Sequence, residues 1–163
     1  MRAILLAILV AACGGGSDAA PDATVPADAS PTCLVPAAYG NLGGKTGTTA
    51  QGPTTMTIVL DPGPPRDSFF LKLNNVAPGT YALVGAELSQ ATCKVCVNII
   101  ADIVTMQGPS KFYFATGGSV TLTATSPPAG TLSDVTFHEV TVDGTPTGSG
   151  CTTKIDALQF SGT

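Results

Sequence analysis

The sequence predicts an all-β protein, with a single β-sandwich or jelly-roll-like domain of about eight strands over residues 33–163. Apolar residues recur at every second position in one stretch after another, which is the period of a half-buried strand. Turns rich in Gly and Pro separate these stretches at short intervals, a spacing typical of sandwiches and jelly rolls. No long stretch has the 3.6-residue period of a helix, so we expect the domain to be built from strands.

The predicted strands follow one another with alternating inward and outward positions. The stretch CVNIIADIV is apolar at both parities and is therefore predicted to be a central strand. Gly117 and Gly118 separate two alternating stretches, which predicts a hairpin around them. In chain order the predicted strands contain Met56, Ile58 and Leu60; Phe69, Leu71 and Leu73; and the stretches YALVGAEL, CVNIIADIV, KFYFATGG, SVTLTAT, VTFHEVTV and IDALQF.

The N-terminal stretch MRAILLAILVAACGGG is an apolar run that stops at a cysteine. Residues 3–12 would reach about 15 Å as a helix, whereas a bilayer core needs about 30 Å. A basic start, a short apolar centre and the small residues Ala11 and Ala12 are the three regions of a secretory signal. We therefore predict a cleaved signal helix over residues 1–12.

The run from Val10 to Cys13, Val-Ala-Ala-Cys, resembles the lipobox of bacterial lipoproteins, which ends in an obligatory cysteine and usually begins with Leu. The resemblance implies that Cys13 carries diacylglycerol, becomes the first residue and is N-acylated, and two or three acyl chains anchor a protein stably. The alternative is a soluble secreted protein cut near Ala12. By family analogy Gly14 lacks the Asp that retains lipoproteins in the inner membrane, so we expect the outer membrane, at its periplasmic face or the cell surface.

Residues 13–32 are predicted to be the lipidated cysteine followed by a flexible tether rich in Gly, Ala, Pro and Asp. Such a segment buries too little apolar surface to offset the entropy of ordering it, and as a coil it would span roughly 24 Å. The chain has a net charge of −4 and no basic patch, so nucleic acid is not an expected partner. The expected partners are the membrane, through the anchor, and an envelope protein or glycan.

Four cysteines remain in the domain, and an even number in an exported chain favours a disulfide framework. Residues three apart in a strand have Cα atoms about 10 Å apart, beyond the roughly 7 Å limit for a bridge. A bridge between Cys93 and Cys96 therefore requires a turn at TCKVC, and it leaves Cys33 to pair with Cys151. Alternatively, Cys93 and Cys96 each reach one of the distant cysteines from a single strand.

Three stretches raise the alternative of an exported enzyme. CKVC resembles the redox dithiol of thioredoxin-like oxidoreductases, but strand-forming residues follow it where a helix would lower a thiol pKa. His138 is the only histidine, and the apolar pattern changes phase at His138 and Glu139, which predicts a β-bulge there. GNLGGKTGTT departs from a phosphate-binding loop because Tyr39 stands where the first Gly is required. We expect structural roles for all three stretches and no catalytic residue.

Carboxylates are the remaining candidates for ligands, because calcium takes six to eight oxygen atoms. None of the acids has the spacing of a calcium loop, and Asp61 and Asp143 stand beside Pro62 and Gly144 and are interpreted as turn residues. The cysteines and His138 lack the spacing of a zinc site. We predict no metal and no cofactor, with an ion at DPGPPRD as an open alternative. The acids considered are Asp61, Asp67, Asp102, Asp134 and Asp143.

Several motifs follow one another in a fixed order from the signal to the last strand. They are the lipobox, the tether, TCKVCVNI, YFATGGSVTLTAT, GTLSDVTFHEVTVD and GCTTKIDALQF. In this order the chain resembles a group of uncharacterised lipoproteins from myxobacteria and their relatives. The resemblance implies an envelope location and an all-β domain, and it implies no activity. We expect a membrane-anchored lipoprotein whose β-domain is a structural or binding module. The alternative is a thiol–disulfide oxidoreductase using Cys93 and Cys96, or a hydrolase using His138.

Overall fold

The computed structural model describes residues 33–50, 54–63, 65–104 and 107–163. These residues form eight strands and a single 3₁₀ turn, Gly85–Leu88, which confirms the prediction of an all-β domain. Cys13, the signal helix and the tether lie outside the described residues. The strands are β1 (Gly40–Ala50), β2 (Thr54–Asp61), β3 (Arg66–Leu73), β4 (Gly79–Ala82), β5 (Val95–Ile103), β6 (Lys111–Thr125), β7 (Pro128–Val140) and β8 (Thr152–Gly162).

Seven of the strands form one closed ring, in the order β6, β5, β3, β2, β1, β8, β7 and back to β6. All neighbours are antiparallel except β1 and β8, which are parallel. The strand β4 pairs with the second half of β6, outside the ring. Because the sheet closes on itself through the β6–β7 pairing, the domain is a seven-stranded barrel and is not clearly a sandwich or a jelly roll.

The hairpin predicted around Gly117 and Gly118 is wrong, because both residues lie inside the continuous strand β6. Gly118 has φ +103, and a Cβ atom there would lie 2.6 Å from the backbone oxygen of Asp134. Shifts of register in the β6–β7 ladder flank Gly117. The two glycines therefore bend one long strand, so that its first half pairs with β5 and its second half with β4.

Large apolar side chains fill the inside of the barrel. Phe69, Phe137 and Phe160 are fully or almost fully buried, and the ring centroids of Phe69 and Phe160 lie 6.4 Å apart. These side chains come from β3 on one side of the ring and from β7 and β8 on the other, so they pack opposite walls of the barrel together. The burial of apolar side chains is the main favourable contribution to the folding of such a domain.

A second, smaller apolar cluster lies on the outer surface of the barrel. It contains Cys93, Cys96, Phe112, Phe114 and Val140. This cluster explains why β5 and the first half of β6 are apolar at both parities: one set of side chains faces the interior and the other packs beneath the segment before β5. The prediction that CVNIIADIV is a central strand is confirmed, since β5 pairs with β3 on one side and β6 on the other.

The bulge predicted at His138 and Glu139 is also wrong, because β6 and β7 pair in regular register from Phe137 to Val140. Val140 is buried in the outer cluster and so belongs to the opposite face from Phe137. The change of phase in β7 occurs earlier, between Leu132 and Val135, where Asp134 has φ +52.

Candidate functional site

One end of the barrel collects most of the polar side chains that are partly or fully buried. We name it the entry end, because Cys33, the first described residue, lies there. It is formed by the starts of β1, β3, β6 and β8 and by the ends of β2, β5 and β7. Cys33 is disulfide-bonded to Cys151, directly before β8, with Cα atoms 5.3 Å apart. The hydroxyl of the buried Tyr113 donates a hydrogen bond to the carbonyl oxygen of Cys33.

Two acids, Asp67 and Asp102, are buried side by side at the entry end, 6% and 8% exposed. The Tyr39 hydroxyl donates to Asp67 Oδ2 at 2.6 Å, and the backbone N–H of Asp102 donates to Asp67 Oδ1 at 3.0 Å. Asp102 has φ +52, and the β3–β5 register shifts beside it. The carboxylate of Asp67 therefore satisfies an N–H group that an irregular strand end leaves without a ladder partner.

Burial shifts the pKa values of Asp102 and of the groups around this pair. Desolvation, together with the nearby charge of Asp67, raises the pKa of Asp102 above its usual range, although Lys111 acts in the opposite direction. Desolvation and the hydrogen bond to Asp67 raise the pKa of Tyr39. Desolvation also raises the pKa of Tyr113. Both tyrosines therefore stay protonated and act as hydrogen-bond donors.

Lys111 and Glu139 form an ion pair beside the acids, with Nζ and Oε2 2.9 Å apart. Ser149 Oγ also donates to Glu139 Oε2 at 2.7 Å, and the Cys151 N–H donates to Ser149 Oγ at 3.1 Å. Burial acts to raise the pKa of Glu139, but the hydrogen bonds from Ser149 and Lys111 outweigh it and the net shift is downward. This chain of contacts connects the start of β6 and the end of β7 to the Cys33–Cys151 bridge.

Of the other acids considered as ligands, Asp61 faces Asp67 across the β2–β3 ladder but is exposed, whereas Asp134 and Asp143 belong to β7 and to the turn after it. Asp61 Oδ1 accepts the Gly63 N–H at 2.9 Å, and Asp143 accepts a hydrogen bond from the Thr141 hydroxyl, so both are turn residues as predicted. Asp134 is exposed and lies 3.1 Å from Lys154 Nζ. Within residues 33–50, 54–63, 65–104 and 107–163, no three His, Cys, Asp or Glu side chains converge as metal ligands.

Cys93 and Cys96 are bonded to each other across a turn, with Cα atoms 5.3 Å apart. Glu87 Oε2 accepts the N–H groups of Lys94 and Val95 at 2.9 and 2.8 Å, which holds the turn against the start of β5. Both cysteines are almost completely buried. A redox dithiol exchanges with an external thiol or disulfide and requires an accessible sulfur atom, so this geometry favours a structural bridge.

His138 lies on the outer surface of β7, opposite Phe114 on β6 and Thr152 on β8. Its side chain is exposed, whereas its neighbour Glu139 points to the other face and pairs with Lys111. Among the residues that the structure describes, no hydrogen bond joins His138 to a nucleophile or to an acid. The glycine-rich stretch forms the strand β1 and is not a phosphate-binding loop before a helix.

The outside of the barrel carries an apolar row that the sequence did not predict. Cross-strand neighbours run around five adjacent strands: Val59 faces Ser68, Ser68 faces Ile100, Ile100 faces Phe112, and Phe112 faces Val140. We call these five residues, four of them apolar, the apolar row. Its members alternate with interior residues of the same strands, such as Ile58, Phe69 and Ile99, so they lie on the outer face of the sheet. On that face Val59 is exposed, Ile100 and Phe112 are half-buried, and Ser68 and Val140 are buried. The row lies close to the entry end of the barrel.

A groove of about 160 Å³ opens beside the apolar row. This volume is smaller than the roughly 300–1,000 Å³ of sites that enclose a small molecule. The exposed Val142 forms one wall, and the amides of Gln90 and Asn98 are the main polar groups. The groove is lined by Phe70, Gln90, Asn98, Ile100, Phe112, Val140, Thr141 and Val142.

Comparison of the chain with protein families, with curated proteins and with solved structures finds no match. The described part of the chain contains no helix that is both long enough and apolar enough to span a bilayer.

The substitution Asp102→Asn is expected to stabilise the protein at neutral pH. A raised pKa means that the folded state holds its proton more tightly than the unfolded state. The contribution of Asp102 to the free energy of unfolding is therefore complete below its ordinary pKa of 3.8. This contribution is lost as the pH rises through the higher pKa of the folded state. Asn keeps the left-handed backbone conformation that Asp102 adopts, and it removes the charge. The free energy of unfolding, measured between pH 4 and pH 7, should depend less on pH in the variant.

Asp134→Asn is the matched control, because Asp134 has the same φ of +52 but an exposed carboxylate near Lys154. Loss of an exposed ion pair changes stability by about 1 kcal/mol or less. If Asp102→Asn is less stable than the wild type at pH 7, the buried charge is not the source of the pH dependence.

Proposed function

We propose that this chain is an exported lipoprotein, anchored to a membrane through Cys13, whose barrel is a binding module for another component of the cell envelope. The apolar row and its groove carry the second part of the proposal. In this groove the exposed Val142 and the half-buried Phe70, Ile100 and Phe112 leave apolar surface in contact with solvent. Large apolar patches on the surface of a soluble protein mark interaction sites. The sequence of residues 1–13 and the two cystines support the first part, since disulfides persist in oxidising compartments.

The chemistry of the described residues favours binding over catalysis. The bridge between Cys93 and Cys96 is buried, and His138 lies on the outer surface, separate from the entry-end acids. Asp67 is engaged by Tyr39 and by the backbone of Asp102, so its hydrogen bonds hold the fold together. The groove offers aromatic and aliphatic contacts with two amides, which is the composition of a recognition surface.

Photocrosslinking in growing cells tests the proposal. A benzophenone amino acid at position 142, where Val142 is 71% exposed and lines the groove, is expected to form an adduct with an envelope component. The same group at position 159 is the control, because Gln159 is exposed on β8, on the far side of the ring from β3 and β5. In the same cells Cys13→Ser should abolish palmitate incorporation, release the protein from the membrane fraction and remove the adduct.

Two results would contradict the proposal separately. Equal adduct formation at positions 142 and 159 would mean that the groove is not a binding surface. Palmitate labelling that persists in Cys13→Ser, or that is missing from the wild type, would mean that Cys13 is not the anchor. The tether variant Ser17→Ala should behave as the wild type in both measurements.

A further inference from the structure

Most of the exposed large aliphatic side chains gather near the entry end of the barrel. Leu34 follows Cys33, Val59 precedes the end of β2, Val104 follows β5, and Val142 follows β7; their exposed fractions are 44%, 39%, 40% and 71%. Only two other large apolar residues in the described part of the chain, Val84 and Leu88, are comparably exposed. The half-buried Ile100 and Phe112 of the apolar row continue this set around the side of the barrel.

The chain enters the barrel at this same end. Cys33 is fixed there by its bond to Cys151 and by the hydrogen bond from Tyr113. Nineteen residues separate Cys13 from Cys33, and a random coil of that length would span roughly 24 Å. A domain tethered so closely to its anchor meets the bilayer at a high effective concentration, so that even a weak apolar contact is populated.

We infer that the entry end, with the apolar row, docks on the surface of the membrane that holds the anchor. This inference rests on the proposed function, because it requires the lipid anchor at Cys13, and it names the lipid surface as the component that the groove contacts. Aliphatic and phenyl groups without polar tips suit the boundary between head groups and acyl chains. Proteins that lie on a membrane bury such side chains about 5–10 Å deep.

Charge at the entry end indicates which lipids are needed. Lys111 is paired with Glu139, while Asp61 and Asp143 are exposed. Arg66 is the exposed cation at the start of β3. With no excess of cations among these described residues, docking does not depend on anionic lipid, and it should be insensitive to salt.

The absence of tryptophan from the chain gives a direct test. Full-length lipidated protein carrying Val142→Trp is reconstituted into phosphatidylcholine vesicles, with or without bromine on the acyl chains. We expect the emission of the indole introduced at position 142 to shift to shorter wavelength and to lose most of its intensity in brominated vesicles. Val59→Trp, at the end of the apolar row that is further from Val142, should respond in the same way.

Ala77→Trp is the matched control, because Ala77 is exposed in the turn between β3 and β4, at the opposite end of the barrel. Its emission should be the same in both kinds of vesicle. Equal quenching at positions 142 and 77 would overturn the inference while leaving the anchor intact. A blue shift of the Val142→Trp emission that grows with protein density and is not quenched by bromine would identify a second copy as the occupant and would also overturn it.

Failure of the proposed function gives a different result. If the mature protein lacks diacylglycerol by mass spectrometry and does not sediment with the vesicles, the anchor is absent and the docking inference falls with it. If the Val142→Trp protein sediments with the vesicles and its emission is not quenched, only the docking inference fails.

Discussion

Replacing Gly130 by alanine is expected to destabilise the barrel by about 3 kcal/mol or more, a large part of the roughly 5–15 kcal/mol that holds a typical domain folded. An added Cβ would overlap the backbone oxygen of Thr121 and would lie 3.1 Å from the Cα of Leu122. Both atoms belong to the backbone of β6, which cannot move aside without breaking its ladder with β7. Denaturant unfolding followed by circular dichroism would measure the loss.

Gly117→Ala is the control for this substitution. Gly117 lies in β6 beside the same ladder, but a Cβ atom there would meet no atom within 4 Å. Adding a methyl group in such a place changes stability by about 1 kcal/mol or less. A Gly130→Ala protein that unfolds at the same denaturant concentration as Gly117→Ala would show that β6 and β7 do not approach so closely.

Removing the bridge between Cys33 and Cys151 is expected to cost about 5 kcal/mol. The two cysteines are 118 residues apart, and a bridge that closes so long a loop restricts the unfolded chain most. The double variant Cys33→Ser/Cys151→Ser avoids a leftover thiol. The midpoint of chemical unfolding, compared with that of the wild type under non-reducing conditions, gives the cost.

The second bridge serves as the internal comparison. Cys93 and Cys96 are three residues apart, and the same chain-entropy relation gives about 2 kcal/mol for so short a loop. Cys93→Ser/Cys96→Ser should therefore be the milder variant. If the two double variants lose the same stability, the entropy of the long loop is not the main effect of the Cys33–Cys151 bridge.

The period of the apolar residues identified β2, β3, β5 and much of β7 and β8, because in these strands one face is buried in a single interior. It missed β1, whose Gly and Thr residues show no alternation and whose partner β8 is more than 100 residues away. It split β6 at Gly117 and Gly118, since two glycines in sequence do not tell a turn from a bend within a strand. Closure of the sheet depends on that bend and on pairings between distant segments, which no local pattern contains.

The candidate site was harder to predict than the strands. The apolar row takes one residue from each of five strands, and only the register of the sheet places Val59, Ile100 and Phe112 in line. The sequence did contain one indication of this outer apolar surface. Phe69 with Phe70, and Ile99 with Ile100, are pairs of consecutive apolar residues, so their strands are apolar on both faces. Such doublets indicate an outer surface that is also apolar. The sequence contained no indication that Asp67 and Asp102 are buried. The sequence pattern around a carboxylate in a loop or at a strand end is the same whether that carboxylate is buried or exposed.

The parallel pairing of β1 with β8 also sets the order in which the domain can be completed during synthesis. Strand β1, the first of the described strands, has its second neighbour β8 at the far end of the domain. There the Thr163 N–H donates to the Gly47 carbonyl oxygen, and the Thr49 N–H donates to the Thr163 carbonyl oxygen. Strands β2 to β7 can form hairpin ladders while the chain is still growing, but the ring stays open along β1 until β8 has emerged. Contacts of this sequence separation slow folding. From the emergence of β1 until that of β8, the newly made chain therefore carries an unpaired strand edge, and in this interval it is most in need of protection by a chaperone.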